Sequence, residues 1–178
     1  MRWEPFLSVP LVVLSTASWG SVYFSAEQAQ QAMFPGAQFT QLHLALTQEQ
    51  RDTLRARSGV YEPFQENRVW AVEGQGLFII DQVVGKHEMI TYAVGLNRDG
   101  SVKQLEILEY RETYGSQVRD LTWRKQFVGK TSASPVKLNN DITNITGATL
   151  SSKHITDGVR RVLLVYDMVL KGQSDAGH

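Results

Sequence analysis

The chain has 178 residues, 18 basic and 18 acidic, no net formal charge and no cysteine. The charge balance leaves no basic excess for nucleic acid, and the missing cysteine excludes thiol catalysis, disulfides, thiolate-held iron–sulfur clusters and thioether-attached haem. His43, His87, His154 and His178 show no metal-binding spacing, so redox chemistry here comes from an organic cofactor or not at all.

Residues 1–26, MRWEPFLSVPLVVLSTASWGSVYFSA, open with Arg2 and carry no charge from Pro5 to Ala26. That length suits either a secretory signal or one membrane span of roughly 20 residues. Pro10, Gly20 and scattered serines interrupt the apolar run. Both readings send the rest of the chain to the periplasm or the extracytoplasmic face of the inner membrane; the remaining alternative is an ordinary buried segment.

Residues 27–64 read as an N-terminal helical region. EQAQQAMFPGAQF is a short helix halted by Pro35 and Gly36. LTQEQRDTLRARSG is a surface helix with a capping box from Thr47 to Gln50 and a stop at Gly59. Residues 65–172 form the main domain. RVWAVEG, GLFIIDQVVG, HEMITYAVGL and SVKQLEILEY favour β-branched and aromatic residues and are parted by glycine turns. NRDGS makes a hairpin connection because Gly100 tolerates positive φ. SQVRDLTWRKQFVGK predicts a helix from about Ser116 to Phe127, with TSASPVKLNND as a following loop.

The last element, SSKHITDGVRRVLLVYDMVLKG, places Ile155, Val159, Val162, Leu163, Tyr166, Val169 and Leu170 on one helical face, with Gly172 as the stop. Residues 173–178 read as a flexible tail. The pattern predicts an α+β fold, an antiparallel β-meander flanked by helices, and not a parallel nucleotide-binding sheet.

Ahead of the final helix lies DITNITGATLSSKH, residues 141–154, crowded with Thr143, Thr146, Thr149, Ser151 and Ser152. One reading is helix capping by Thr149, Ser151 or Ser152. The other is a phosphate seat: a helix N-terminus offers unpaired N–H groups and partial positive charge. Gly147 and Ala148 leave the backbone bare enough for a bulky ligand. No G-x-x-x-x-G-K-[ST] motif is present, so nucleotide triphosphate hydrolysis has no support. No convergent acid–base set marks a catalytic residue.

DITNITGATLSS resembles the flavinylation motif of FMN-binding domains, found in the peripheral flavin subunits of the Rnf complex and of the sodium-translocating NADH:quinone oxidoreductase. ETYG, Glu112 to Gly115, is similar to the family's Glu-Thr-x-Gly element, and Trp123, Phe127, Gly129 and Lys130 look like its following aromatic, Phe and Gly-Lys positions. The resemblance spans roughly residues 65 to 170. It implies FMN joined by a phosphoester to Thr149 and placed by an FAD:protein FMN transferase. Asp141, Thr146, Gly147 and Ala148 match the rest of the motif. Thr113 and Gly115 would line the flavin, with Glu112 heading their motif. Ser151 stands in the first helical turn, and Lys153 is placed to offset phosphate charge. The chain departs from the family at Thr146, where Ser is common, and at Tyr114, where Pro is common. Asp141 also stands further from the Gly-Ala pair than the family pattern expects.

The expected function is an extracytoplasmic electron-transfer flavoprotein with membrane or periplasmic redox partners, rather than a stand-alone enzyme. The alternatives are a small FMN-dependent reductase acting on a quinone or organic acceptor, and an envelope binding domain without flavin.

Overall fold

A computed structural model describes residues 21–171. The leader up to residue 20 and the tail from residue 172, including the predicted stop at Gly172, lie outside the described residues. Among the described residues, six strands form one antiparallel sheet in the order β1-β6-β5-β4-β3-β2. They are β1 (Ser21–Val22), β2 (Phe39–Leu42), β3 (Val69–Val72), β4 (Gly76–Val84), β5 (Met89–Asn97) and β6 (Val102–Tyr110). The helices are α1 (Ala26–Met33), α2 (Gln48–Ser58), the single turn α3 (Leu121–Arg124) and α4 (Thr149–Val165). This is the α+β meander that the strand pattern predicts.

The long strands are buried on both faces, so their residues alternate between two cores. Leu77, Ile79 and Val83 of β4 join Tyr92, Val94 and Leu96 of β5 under α4. Phe78 and Ile80 face the other way, with Ala93 and Leu108, toward α1. On α4, Ile155, Val159, Val162 and Leu163 are buried, as their helical spacing requires. The chain continues past Val165 into one π-helical turn, Tyr166–Leu170, whose Tyr166 hydroxyl donates to the Arg98 carbonyl at 3.0 Å.

The helix ends follow local chemistry. Thr47 accepts from the Gln50 amide while the Gln50 side chain accepts from Thr47, and Gly59 closes α2 at φ +76. Ser25 and Gln28 form the same box on α1. Strand β1 falls inside the stretch read as leader: Ser21 pairs with Tyr110 and Val22 with Glu109. Among the described residues, no helix is long and apolar enough to cross a membrane.

Two expectations need correction. The N-terminal region is not wholly helical, because Phe39–Leu42 pair with β3 as an edge strand. That strand is short and exposed at its centre, so it carries no alternating pattern to read. The helix expected over Ser116–Phe127 is broken into a 3-10 turn (Ser116–Arg119), α3, and a second 3-10 turn (Lys125–Phe127), with Asp120 extended between the first two. Arg124 explains the break. Its Nε donates to the Arg119 carbonyl at 2.8 Å, and its Nη1 donates to the Leu105 carbonyl and to Glu106 at 2.6 and 2.5 Å. The side chain therefore takes a carbonyl that a continuous helix would use, and ties the run to β6 instead.

Candidate functional site

The start of α4 meets the turn between β4 and β5 and the segment leaving β6. Together they enclose a cleft of about 500 Å³ lined by Lys86, His87, Glu112, Thr113, Tyr114 and the stretch from Gly147 to Ser151. That volume lies within the range of small-molecule sites.

No side chain caps α4, and its leading residue is Ala148. The capping alternative for Thr149, Ser151 and Ser152 therefore fails. The first N–H groups of the helix, at Thr149, Leu150 and Ser151, precede the point where intrahelical bonding begins. These residues line the cleft, so the partial positive charge of the helix start borders it. Thr149 is exposed. Gly147 sits at φ +84 with no atom within 4 Å of the position a Cβ would take, so the approach to Thr149 is open.

The floor is a chain of hydroxyls. Tyr110 donates to the Tyr114 carbonyl at 2.5 Å, which leaves Ser151 as donor in the 3.0 Å contact between their hydroxyls. Burial pushes the Tyr110 hydroxyl's pKa up, so it stays protonated and a donor. Gly115, at φ +94, passes under this pair; a Cβ there would lie 2.5 Å from the Tyr110 hydroxyl and 2.8 Å from the Ala148 Cβ. Glycine is thus required by both conformation and space. Tyr114 stands 80% exposed, an aromatic wall beside Thr113.

The β4–β5 turn is held from two sides. Glu112 accepts from the His87 amide at 2.6 Å and the Glu88 amide at 3.0 Å. Burial opposes its charge, but the amides of Glu88, His87 and Lys86 outweigh it and hold the carboxyl below its ordinary value. His154 Nδ1 lies 2.6 Å from the Val84 carbonyl and 3.1 Å from that of Gly85. Both partners are acceptors, so Nδ1 carries the proton. His154 is therefore a brace between α4 and β4.

The predicted site residues divide accordingly. Glu112, Thr113, Gly147, Ala148, Thr149 and Ser151 line the cleft, and Gly115 supports its floor. Thr146 is exposed beside it. Asp141 points elsewhere: it accepts from the Val136 and Lys137 amides at 3.1 and 2.8 Å and pairs with Lys130 at 2.9 Å. Burial opposes its charge, and Lys130 with those amides more than offsets the burial, so its pKa is lowered. Lys153 pairs with Asp157 at 2.6 Å and borders a neighbouring pocket with His154 and Tyr61. Trp123 and Phe127 are core, edge to face at 5.2 Å.

Three contributors are weakly marked in the sequence. Lys86 and His87 belong to the turn GKHE, Gly85 to Glu88, whose sequence allows a polar edge to the site but favours a surface hairpin; they line the cleft. Asn144 lies inside the motif with no distinguishing spacing, yet its amide reaches the Thr149 hydroxyl at 3.1 Å.

An exposed hydroxyl beside uncapped helix amides, bare glycine backbone and a nearby lysine fit the phosphate end of FMN. The remaining cleft, with its aromatic wall, suits a planar ring. Comparison with known proteins agrees. Residues 85–164 match the FMN-binding domain family. The chain is also similar to one component of the Na(+)-translocating ferredoxin:NAD(+) oxidoreductase complex of Acetobacterium woodii, 30% identical over 86 residues, covering 43% of this chain and 42% of the relative. The match thus spans less than half of that protein's length.

Proposed function

From the FMN-binding domain at residues 85–164, we propose that this chain is an extracytoplasmic flavoprotein carrying FMN on Thr149 through a phosphoester bond. It passes electrons between a membrane donor and another redox protein. One observation carries the reading: the exposed Thr149 hydroxyl stands at an uncapped helix N-terminus in a cleft of about 500 Å³. When bound, the isoalloxazine ring supplies one- or two-electron exchange.

The chain's own residues hold and shield that group. The amides of Thr149, Leu150 and Ser151 balance phosphate charge, and Lys86 adds a positive side chain. Thr113 and Tyr114 wall the ring end, and the Tyr110–Ser151 pair fixes the floor. A covalent tether retains the cofactor outside the cytoplasm, where a dissociated flavin is lost by dilution. Attachment requires an FAD:protein FMN transferase as a partner. Similarity to a component of a Na(+)-translocating oxidoreductase complex supports redox proteins at a membrane as the other partners.

Intact-protein mass spectrometry on the exported protein, co-produced with the transferase, tests this. The expected adduct has the mass of FMN less one water and is absent from Thr149→Ala. An unmodified mass, under conditions that flavinylate a family member, overturns the reading.

A further inference from the structure

We propose that Asn144 is a positioning residue that prepares the Thr149 hydroxyl for modification; the inference rests on the flavinylation reading above. Asn144 Nδ2 donates to Thr149 Oγ1 at 3.1 Å. Its own Oδ1 accepts from Ser152 Oγ at 3.0 Å. Ser152 is fully buried, one turn into α4, so the amide is oriented by a group that the core holds still. The Ser152 proton is shared with the Ala148 carbonyl at 2.9 Å, which keeps this hydroxyl over the helix start in either arrangement.

The backbone beside Asn144 is equally fixed. Trp123 Nε1 donates to the Thr143 carbonyl at 2.8 Å, and the Thr143 amide donates to Gln126 Oε1 at 2.8 Å. The irregular run around α3 thus anchors the residue from one side and α4 from the other. Asn144 is the part of the motif that is braced, while Thr149 is exposed.

That arrangement has a chemical consequence. A threonine in a helix divides its χ1 between two rotamers. An N–H donor directed at Oγ1 selects one of them and leaves the hydroxyl hydrogen turned outward. In the transfer, Thr149 Oγ1 attacks the flavin-side phosphorus of FAD. The new O–P bond forms as the pyrophosphate P–O bond breaks; AMP departs, and the hydroxyl proton passes to a base of the transferase. Negative charge gathers on Oγ1 as the proton leaves, and the Asn144 N–H is already placed to stabilise it. The same donor then faces the ester oxygen of the product.

The test is the rate of FMN attachment to the full chain by purified transferase and FAD, followed by intact mass at varied acceptor concentration. Asn144→Ala is compared with Asn144→Asp, which keeps the shape and the acceptor for Ser152 but has no N–H. Both variants are expected to lose about tenfold in limiting rate, the effect of one hydrogen bond to a charged group in the transition state. Their half-saturating concentrations and thermal midpoints should stay near those of wild type. Wild-type limiting rates in both variants, or a change confined to half-saturation, overturn the proposal. If Asn144→Ala does not fold, the isosteric Asn144→Asp decides. A wild-type chain that takes up no flavin removes the underlying reading and this inference with it, whereas flavinylated wild type with an equally fast Asn144→Asp removes this inference alone.

Discussion

The Glu112 carboxylate accepts a hydrogen bond from the backbone amide of His87 at 2.6 Å, so the segment leaving β6 holds the turn between β4 and β5. The two residues stand 25 positions apart in sequence, yet one carboxylate joins two of the segments that line the cleft. Gly85 belongs to the same device, because a Cβ there would come within 2.5 Å of Glu112 Oε1.

Removing that carboxylate should loosen the turn before it unfolds the domain. Glu112→Ala is expected to cost about 1–3 kcal/mol, the range for losing a charged hydrogen-bond acceptor. Hydrogen exchange at His87 and Glu88 should accelerate far more than exchange in the centres of β4 and β5. Uniform acceleration throughout the sheet would show that the carboxylate acts on global stability and not on the turn.

The same carboxylate, with Asp141, gives a pH signature. Both titrate below their ordinary values of 4.5 and 3.8 when the protein is folded. The folded state therefore binds fewer protons in acid than the unfolded state. The stability they contribute is complete above those ordinary values and is lost as pH falls through the folded pKa of each. The stability gap between wild type and Glu112→Gln should be constant from neutral pH down to about 5 and narrow below it. Urea midpoints across that range provide the check; a gap that widens in acid contradicts the assignment.

Asp141 was expected from the motif to serve the flavin site, but its contacts are those of a loop clasp. It holds the amides of Val136 and Lys137, and Val136 stands at φ +42, a region that β-branched residues rarely occupy. Arg160 also grips the Val136 carbonyl at 2.8 Å. Asp141→Ala should therefore cost about 1–3 kcal/mol of stability. At temperatures where the variant is folded, its rate of FMN attachment should remain near wild type. A large loss of attachment rate in a folded variant would return Asp141 to the site.

What the sequence discloses follows from how local its causes are. The strands β3 to β6, the Thr47–Gln50 capping box and the turn at Gly100 depend on neighbours within a few residues, and all were legible. The buried face of α4 was equally plain, because its period runs over four turns. Edge strand β2 was not, since its pairing with β3 is all that makes it a strand. Nor was the broken run at Ser116–Phe127, which depends on Arg124 reaching Leu105, 19 residues away. Of the motif letters, Gly147, Ala148 and Thr149 line the cleft. Lys86 and His87 were only weakly marked, because the turn GKHE reads more readily as a surface hairpin and its place beside the cleft depends on the strand pairing.

A buried ion pair lies outside the cleft, between α4 and β4. Asp81 and Arg161 are almost wholly buried, and Asp81 Oδ2 accepts from Arg161 Nε and Nη2 at 2.9 and 2.7 Å and from the Tyr92 hydroxyl at 2.9 Å. Arg161 also donates to the carbonyls of Glu62 and Gln82 at 2.6 and 2.8 Å, so one guanidinium joins α4, β4 and the loop after α2. Arg161→Leu leaves a buried carboxylate without its cation and should cost about 3–5 kcal/mol. Burial already raises the Asp81 pKa against the pull of Arg161, and without the cation the rise is larger. The variant's folded state then binds a proton that its unfolded state has released, so its stability falls as pH rises above the ordinary value of 3.8. The deficit relative to wild type should accordingly shrink in mild acid, and adding Asp81→Asn should recover part of it at neutral pH. Urea unfolding of the single and double variants at two pH values measures both effects. A deficit that is independent of pH and unrelieved by Asp81→Asn would mean that Arg161 contributes through packing and its carbonyl bonds, not through its pairing with Asp81.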